Sequence, residues 1–149
     1  MNLIVEKDLD PDSRELLKLA IEVRKNAYAP YSNYKVGAAL IDENGAYHTG
    51  CNIETAVYTT TTHAEMLAID SMIKTGVQKF KKIIIALKGE DRPATPCGLC
   101  RQKMVEFANQ DLEIISVNLD ENENINKIYQ FTLAELIPFS FDSSFFVKP

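Results

Sequence analysis

Two short motifs contain the residues of this sequence whose types and spacing suit chemistry at a metal ion. The first is Thr62-His63-Ala64-Glu65 and the second is Pro96-Cys97-Gly98-Leu99-Cys100. Cys97 and Cys100 are three positions apart, so on the first turn of a helix both sulfurs face the same side. The partial positive charge of a helix N-terminus favours the thiolate forms that bind metals. If both motifs open helices that meet, His63, Cys97 and Cys100 can share one zinc ion and leave the fourth tetrahedral position to water.

The carboxylate of Glu65 points to catalysis at such a site. A carboxylate beside a zinc-bound water can take a proton from it and deliver that proton to a substrate nitrogen. The order H-x-E followed by P-C-x-x-C is the signature of zinc nucleobase deaminases, and the expected mechanism is taken from that class. Two other interpretations stay open: a closed structural zinc site with Cys51 or His48 as fourth ligand, and a redox Cys-x-x-Cys pair.

Length and composition predict a globular protein with one domain over residues 1–149. The net charge is −5 and no basic stripe is present, which argues against a nucleic-acid partner. Lys79, Lys81 and Lys82 form a short cluster that we interpret as the solvated entry to a strand. No apolar run approaches the roughly 18 residues that a membrane span needs, so we expect no membrane partner.

Cysteine usage and the first residues predict a cytoplasmic protein. The chain has three cysteines, and an odd number argues against a disulfide framework. The opening residues, MNLIVEKDLD, lack a basic start followed by an apolar stretch, so we expect no secretory signal.

Hydrophobic periodicity predicts the elements that must position the two motifs. Residues 12–28 form an amphipathic helix capped by Asp12. The other predicted elements are a hairpin over 35–41 and 46–53, helices over 62–75 and 97–109, strands over 82–87, 113–119 and near 128–131, and a helical turn over 133–137. The continuous apolar run at 82–87, KIIIAL, is typical of a central buried strand. Together these predict the α/β class, as a three-layer α/β/α sandwich with a mixed sheet.

The chain resembles the cytidine deaminase family of zinc-dependent nucleoside deaminases over nearly its whole length. The matching stretches are residues 27–40 (AYAPYSNYKVGAAL), 50–54 (GCNIE), 63–65 (HAE), 96–102 (PCGLCRQ) and 135–138 (ELIP). The resemblance implies hydrolysis of cytidine or deoxycytidine to uridine or deoxyuridine and ammonia, as in pyrimidine salvage. It implies zinc as cofactor on His63, Cys97 and Cys100, with Glu65 as the catalytic acid and base. The alternatives are a deaminase of another amino-pyrimidine nucleoside, such as a blasticidin-type antibiotic, and a non-catalytic zinc-stabilised protein.

The resemblance also implies substrate-binding residues. Asn52 and Glu54 match the residues that hold the ribose hydroxyls in the family. Strand alternation agrees, because it places both on one side while Cys51 and Ile53 point into the core. The segment from Thr55 to Thr62 is unusual for the family and lies between the sugar and zinc residues, so substrate preference can differ.

Three further positions are implied by the same resemblance. Tyr34 matches an aromatic residue, usually Phe, near the bound base, and an ordinary core aromatic is the alternative. The backbone of Ala64 is expected either to accept a hydrogen bond from the pyrimidine amine or to lie beside the base. Phe141 matches an aromatic that reaches a neighbouring subunit's site in short-chain members, and simple C-terminal packing is the alternative. The expected assembly is a homo-oligomer, with a tetramer favoured and a dimer possible.

Overall fold

Six strands form one mixed sheet in the computed structural model, which describes residues 1–146. The strands are β1 (Asn2–Ile4), β2 (Val36–Asp42), β3 (Tyr47–Cys51), β4 (Phe80–Lys88), β5 (Glu113–Leu119) and β6 (Ile125–Thr132). Their order across the sheet is β1-β6-β5-β4-β2-β3. Strands β4 and β5 are parallel, and the other neighbouring pairs are antiparallel.

Four helices cover the two faces of the sheet. They are α1 (Pro11–Arg24), α2 (Ala64–Ile73), α3 (Gly98–Phe107) and α4 (Leu133–Leu136), and single 3₁₀ turns lie at Glu6–Asp8, Tyr58–Thr60 and Ser143–Phe145. None of the helices within residues 1–146 has the length and apolar character needed to cross a membrane.

Strand β4 shows how the helices are divided between the faces. Ile83 and Ile85 belong to a core cluster that contains the buried apolar residues of α2 and α3, whereas Ile84 belongs to a second cluster that contains buried apolar residues of α1. Neighbouring strand residues point to opposite faces, so this alternation requires a helical layer on each side. Full burial of each isoleucine contributes about 1.5–3 kcal/mol. The three-layer α/β/α sandwich and the central position of the KIIIAL strand are therefore confirmed.

Helix α1 begins one residue earlier than predicted, at Pro11. Asp10, rather than Asp12, is the N-cap, and its side chain accepts a hydrogen bond from the backbone N–H of Ser13 at 2.7 Å. Pro11 takes the first helical position, where a missing N–H costs nothing. The prediction that Asp12 caps this helix is wrong.

The same helix ends at Arg24, before the predicted end at residue 28. The N–H of Tyr28 donates to the carbonyl of Asn52 at 3.0 Å, and the N–H of Glu54 donates to the carbonyl of Tyr28 at 2.8 Å. Pairing with the chain that follows β3 therefore replaces the last helical turn. A contact between distant segments overrides local helix propensity here.

Lys82 is buried, so its interpretation as part of a solvated strand entry is wrong. It lies near the start of β4, where its ammonium group pairs with Asp10 and donates to the hydroxyl of Ser13 at 2.6 Å. The Glu113 carboxylate lies 2.9 Å from the same nitrogen. Lys82 thus ties the first turn of α1 to two strands of the sheet.

Candidate active site

The two motifs meet because α2 and α3 both begin at the same end of the sandwich. His63 is the N-cap of α2 and Cys97 is the N-cap of α3, each with extended backbone angles. Gly50 on β3 lets α2 approach closely. A Cβ atom at this position would lie 2.4 Å from both the carbonyl oxygen of Ala64 and the amide nitrogen of Ala68. The close contact places the first turn of α2 directly on the sheet.

His63, Cys97 and Cys100 form a cluster with the dimensions of a zinc site. The His63 Nδ1 atom lies 3.3 Å from the sulfur of Cys97 and 3.4 Å from that of Cys100, and the sulfurs are 3.7 Å apart. Zinc–ligand bonds of about 2.3 Å to sulfur and about 2.0 Å to nitrogen give tetrahedral edges of about 3.6–3.8 Å. The sulfur–sulfur distance matches these edges, and the two nitrogen–sulfur distances are shorter by about 0.2–0.3 Å, so a small side-chain movement fits the three donors to one zinc ion.

Within residues 1–146 the cluster is not a closed four-ligand site. Cys51 and His48 do not join the ligand cluster in the described part of the chain. The ring of His48 instead contacts Asp42 at 2.9 Å, and Cys51 is a buried free thiol. A cluster with three protein ligands is typical of a catalytic site, which keeps one position for water.

Glu65 lies in the first turn of α2, beside the cluster, with only 6% of its surface exposed. Burial raises the pKa of this carboxyl above its ordinary value. Burial also raises the pKa of the Cys100 thiol, and the charge of Glu65 raises it further. A thiolate at this position therefore needs a cation beside it, which a bound metal supplies.

A cavity of about 320 Å³ opens onto the cluster. Seven of the nine candidate site residues predicted from the sequence line this cavity: Tyr34, Asn52, Glu54, His63, Ala64, Glu65 and Cys97. Cys100 is fully buried behind the cavity wall. A larger, more open cleft of about 1140 Å³ adjoins the cavity across Tyr34, but the metal-binding residues do not line it.

Asn52 and Glu54 line the same cavity, and both hold the backbone around it. The side-chain oxygen of Asn52 accepts from the N–H of Val36 at 2.8 Å, and its nitrogen donates to the carbonyl of Tyr34 at 2.9 Å. Glu54 accepts hydrogen bonds from the backbone N–H groups of Tyr31 and Ser32, at 3.0 and 3.2 Å, and from the Ser32 hydroxyl. The Ser32 hydroxyl is the main reason that the pKa of Glu54 is lowered.

Ile53 does not point into the core as the strand alternation predicted. Its exposed fraction is 39%, whereas Cys51 is buried as expected. Strand β3 ends at Cys51, and Ile53 makes only isolated bridges with Tyr28 and Thr62. The alternation rule therefore extends only as far as the regular strand.

Phe141 lies away from the cavity of its own chain. Its ring stacks on Phe145 at a centroid distance of 5.0 Å and meets Phe146 edge-on at 5.7 Å. The ring remains 57% exposed. The structure thus separates this residue from the others that the sequence analysis grouped with the substrate.

Three hydroxyl residues of the cavity were missed by the sequence analysis. Ser32, Thr61 and Thr95 all line it. Ser32 lies within the matched stretch 27–40, Thr61 lies in the unusual segment from Thr55 to Thr62, and Thr95 precedes the matched stretch 96–102, and these positions were the available signals. Serine and threonine have no spacing that distinguishes a site from a turn.

The fold and the cluster agree with a comparison against family models. The model of the cytidine and deoxycytidylate deaminase zinc-binding region matches residues 11–116. This chain belongs to that deaminase family. The match includes both motifs, so zinc is the metal that His63, Cys97 and Cys100 are positioned to bind.

Individual members of the deaminase family are similar to most of the chain. A cytidine deaminase from Sporosarcina psychrophila is 37% identical over 130 residues, which cover 87% of this chain and 91% of the relative. The crystal structure of a cytidine deaminase from Burkholderia pseudomallei superposes with a TM-score of 0.75 at 35% identity, covering 86% of this chain and 98% of that one. A blasticidin-S deaminase from Bacillus cereus is 27% identical over 134 residues, or 85% of this chain and 90% of the relative.

Residues 55–62, which lie between Glu54 and the cluster residue His63, are held by their own hydroxyl groups. The Thr55 hydroxyl donates to the carbonyl of Val57 at 2.6 Å, and the Thr60 hydroxyl donates to the same carbonyl at 2.8 Å. The Thr61 hydroxyl accepts from the N–H of Thr55 at 3.3 Å. Thr61, held by one of these bonds, lies on the wall of the cavity, so the threonines fix the shape of this segment beside the cavity.

Proposed function

We propose that this protein catalyses the zinc-dependent hydrolytic deamination of cytidine, deoxycytidine or both, giving uridine or deoxyuridine and ammonia. The observation that carries the proposal is the burial of the Glu65 carboxylate in the same cavity as the zinc-binding cluster. A structural zinc site needs no buried carboxylate beside its ligands. The cytidine deaminases to which the chain is similar support the same reaction.

His63, Cys97 and Cys100 would hold the zinc ion. When bound, zinc supplies Lewis acidity that makes a water molecule nucleophilic near neutral pH. Glu65 takes a proton from the attacking water and delivers it to N3 of the pyrimidine, which makes C4 more electrophilic. After the water oxygen has added to C4, the carboxylate takes the remaining proton of that oxygen and gives it to the leaving amine, so Glu65 carries protons in both halves of the reaction.

Asn52 and Glu54 are proposed to bind the sugar hydroxyls. The amide of Asn52 uses one donor and one acceptor on the backbone of its own chain and keeps a second of each for a ligand. The carboxylate of Glu54 is held by the Tyr31–Ser32 backbone and has further acceptor positions. Both side chains are therefore fixed in place before the nucleoside arrives, which reduces the entropic cost of binding.

The base is proposed to lie between the ring of Tyr34 and the first turn of α2. The backbone N–H groups of a helix's first turn have no partner within the helix, so that of Ala64 is suited to a polar atom of the pyrimidine. Tyr34 is anchored through its hydroxyl, which donates to the carbonyl of Lys88 at 3.0 Å. Its ring supplies an apolar wall for the cavity.

The charges around the cavity favour a free nucleoside over a nucleotide. Glu54 and Glu65 line it, and no lysine or arginine does so among residues 1–146. A phosphate group would need cationic partners at the opening and would be repelled by the carboxylates. The same carboxylates would repel the phosphates of a nucleic-acid substrate.

The proposed assembly is a homo-oligomer in the cytoplasm, acting in pyrimidine salvage, with a tetramer favoured over a dimer. The oligomeric state is supported by a group of exposed aromatic rings near the C-terminus: Phe139, Phe141, Phe145 and Phe146. Exposed apolar groups of this size commonly mark protein contacts. Phe141 would then approach the site of a neighbouring subunit. Light scattering of the purified protein gives the mass that tests this assembly.

The test is an ultraviolet absorbance assay of purified protein with cytidine, deoxycytidine, cytosine, cytidine monophosphate and blasticidin S. We expect turnover of one or both nucleosides, loss of turnover with a zinc chelator, and recovery when zinc is restored. Blasticidin S as the best substrate would replace cytidine in the proposal. Inactivity of the zinc-loaded protein on all five compounds would leave a zinc-stabilised protein without this chemistry.

A further inference from the structure

Arg101, the residue after Cys100 in α3, joins two segments of the chain through three side-chain hydrogen bonds. Its Nε donates to the carbonyl of Pro96 at 2.6 Å, and one terminal nitrogen donates to the hydroxyl of Thr95 at 2.7 Å. The other terminal nitrogen donates to the carbonyl of Leu136 at 2.9 Å. The guanidinium group therefore connects the loop that precedes α3 with the end of α4.

The loop that it holds carries part of the candidate active site. Thr95 lines the cavity, and Cys97, which follows Pro96, supplies one of the sulfurs of the metal cluster. Residues 89–96 have no helical or strand structure. A segment of this kind lacks the repeated backbone hydrogen bonds that hold regular elements in place. Beyond Gly89, whose N–H donates to the carbonyl of Leu119 at 3.1 Å, side chains hold the loop beside the metal-binding cluster.

Side chains from neighbouring elements hold this loop at successive points. Asn118 on β5 donates to the carbonyls of Glu90 and Arg92, at 2.8 and 2.9 Å. The Ser116 hydroxyl donates to the carbonyl of Ala94 at 2.8 Å. Arg101 makes the contacts nearest to the metal cluster. Loss of its side chain would therefore free the part of the loop that adjoins Cys97.

We propose that Arg101 is a positioning residue that sets the place of the Cys97 sulfur and of the Thr95 side chain. Its planar fork reaches acceptors in three directions at once, which a lysine ammonium on a flexible stem cannot reproduce. Because guanidinium only donates, it also occupies an acceptor position of the Thr95 hydroxyl and directs that group's hydrogen elsewhere. Groups that orient metal ligands in this way typically change metal affinity by about 10–100-fold when removed.

The experiment compares the rate at which zinc passes to excess chelator from the wild type, Arg101→Lys and Arg101→Met. We expect zinc loss at least about tenfold faster in both variants, because the Cys97 sulfur is held less firmly. Gln102→Ala and Lys103→Met are the controls. Gln102 donates to the carbonyl of Phe141, and Lys103 pairs with Asp70, so these variants change the same helix without touching the loop. Zinc loss from the controls should stay within about twofold of the wild type, the range of a surface change.

Zinc loss at the wild-type rate from both Arg101 variants overturns the proposal, and so does equal acceleration in the two controls. If Arg101→Met does not fold, Arg101→Lys, which keeps the charge, decides the question. Kinetics of the zinc-loaded variants add a second measurement, in which KM for cytidine should rise because Thr95 is displaced. This kinetic measurement rests on the proposed function. A wild-type protein that does not act on cytidine would contradict that function and leave the zinc comparison valid.

Discussion

The hydroxyl of Tyr34 donates to the backbone carbonyl of Lys88 at 3.0 Å, and this bond holds the ring between two cavities. On one side lies the proposed nucleoside cavity and on the other the larger cleft bounded by residues 88–95. The Tyr34 ring thus separates the two cavities and also forms part of the wall against which the pyrimidine base is proposed to lie. Its contact with Lys88 links the loop after α1 to the end of β4.

Tyr34→Ala should join the two cavities and raise KM for cytidine by about tenfold or more, because an apolar wall of the base is lost. Tyr34→Phe keeps the ring and should raise KM only a few-fold, since it removes one exposed hydrogen bond worth about 1 kcal/mol. Steady-state kinetics with cytidine distinguish the two variants. Unchanged KM in Tyr34→Ala would show that the ring does not contact the substrate.

Glu65→Gln should keep the fold and zinc but lower kcat by at least about 10²–10⁴-fold, because a carboxamide cannot shuttle protons. The measurement is kcat for cytidine, with zinc content determined by elemental analysis on the same sample. Near-normal turnover would rule out Glu65 as the proton carrier and revive the structural-zinc interpretation.

Cys97→Ala should lose most of its zinc, because two donors remain of three. Cys51→Ala is the matched control, since Cys51 is a buried free thiol outside the cluster. Elemental analysis should find about one zinc per chain in the wild type and in the control. Full zinc retention by Cys97→Ala would mean that other residues build the site. Thermal unfolding should show a lower Tm where zinc is lost, since metal binding is linked to folding.

Glu54→Ala should reduce kcat/KM for cytidine far more than for free cytosine, provided that cytosine reacts. A cavity built to bind hydroxyl groups discriminates strongly, because its polar groups are otherwise left unpaired. Parallel losses on both compounds would show that Glu54 only holds the Tyr31–Ser32 backbone.

Lys82→Met should lower the free energy of unfolding at pH 7 by about 1–3 kcal/mol, the range for lost hydrogen bonds to charged groups. Lys81→Met, one residue earlier and exposed, is the control for the lost charge and should change stability little. Denaturant unfolding of both variants measures the difference. Equal stability of the two variants would show that the Lys82 contacts contribute nothing.

The stabilisation by Lys82 should also depend on pH. Burial raises the pKa of Asp10, but the bonds from Lys82 and Ser13 outweigh it and leave this pKa below its ordinary value. Because the pKa of Asp10 is lower in the folded state, the stabilisation is fully present above the unfolded-state pKa of about 3.9. It is lost as the pH falls from that value through the folded-state pKa. The gap between wild type and Lys82→Met should therefore narrow below about pH 4.

The sequence by itself determined the features that depend on near neighbours in the chain. The spacing of Cys97 and Cys100 within one helical turn, and the position of both motifs at helix starts, follow from local geometry. Strand β5 was predicted with both ends correct, because an apolar run between turn residues is a local signal. The three-residue strand β1 is too short to give such a signal, and it forms only because β6 offers an unpaired edge.

Only the tertiary structure decided what depends on residues far apart in sequence. His63 meets Cys97 because sheet order and the close approach at Gly50 place two helix starts together. Lys82 is buried because α1 brings Asp10 to it, and Phe141 is separated from the cavity because its ring packs on Phe145. Residue types and their spacing indicate which chemical groups a site can contain. Their distances, burial and partners come from packing, which is a property of the whole folded chain.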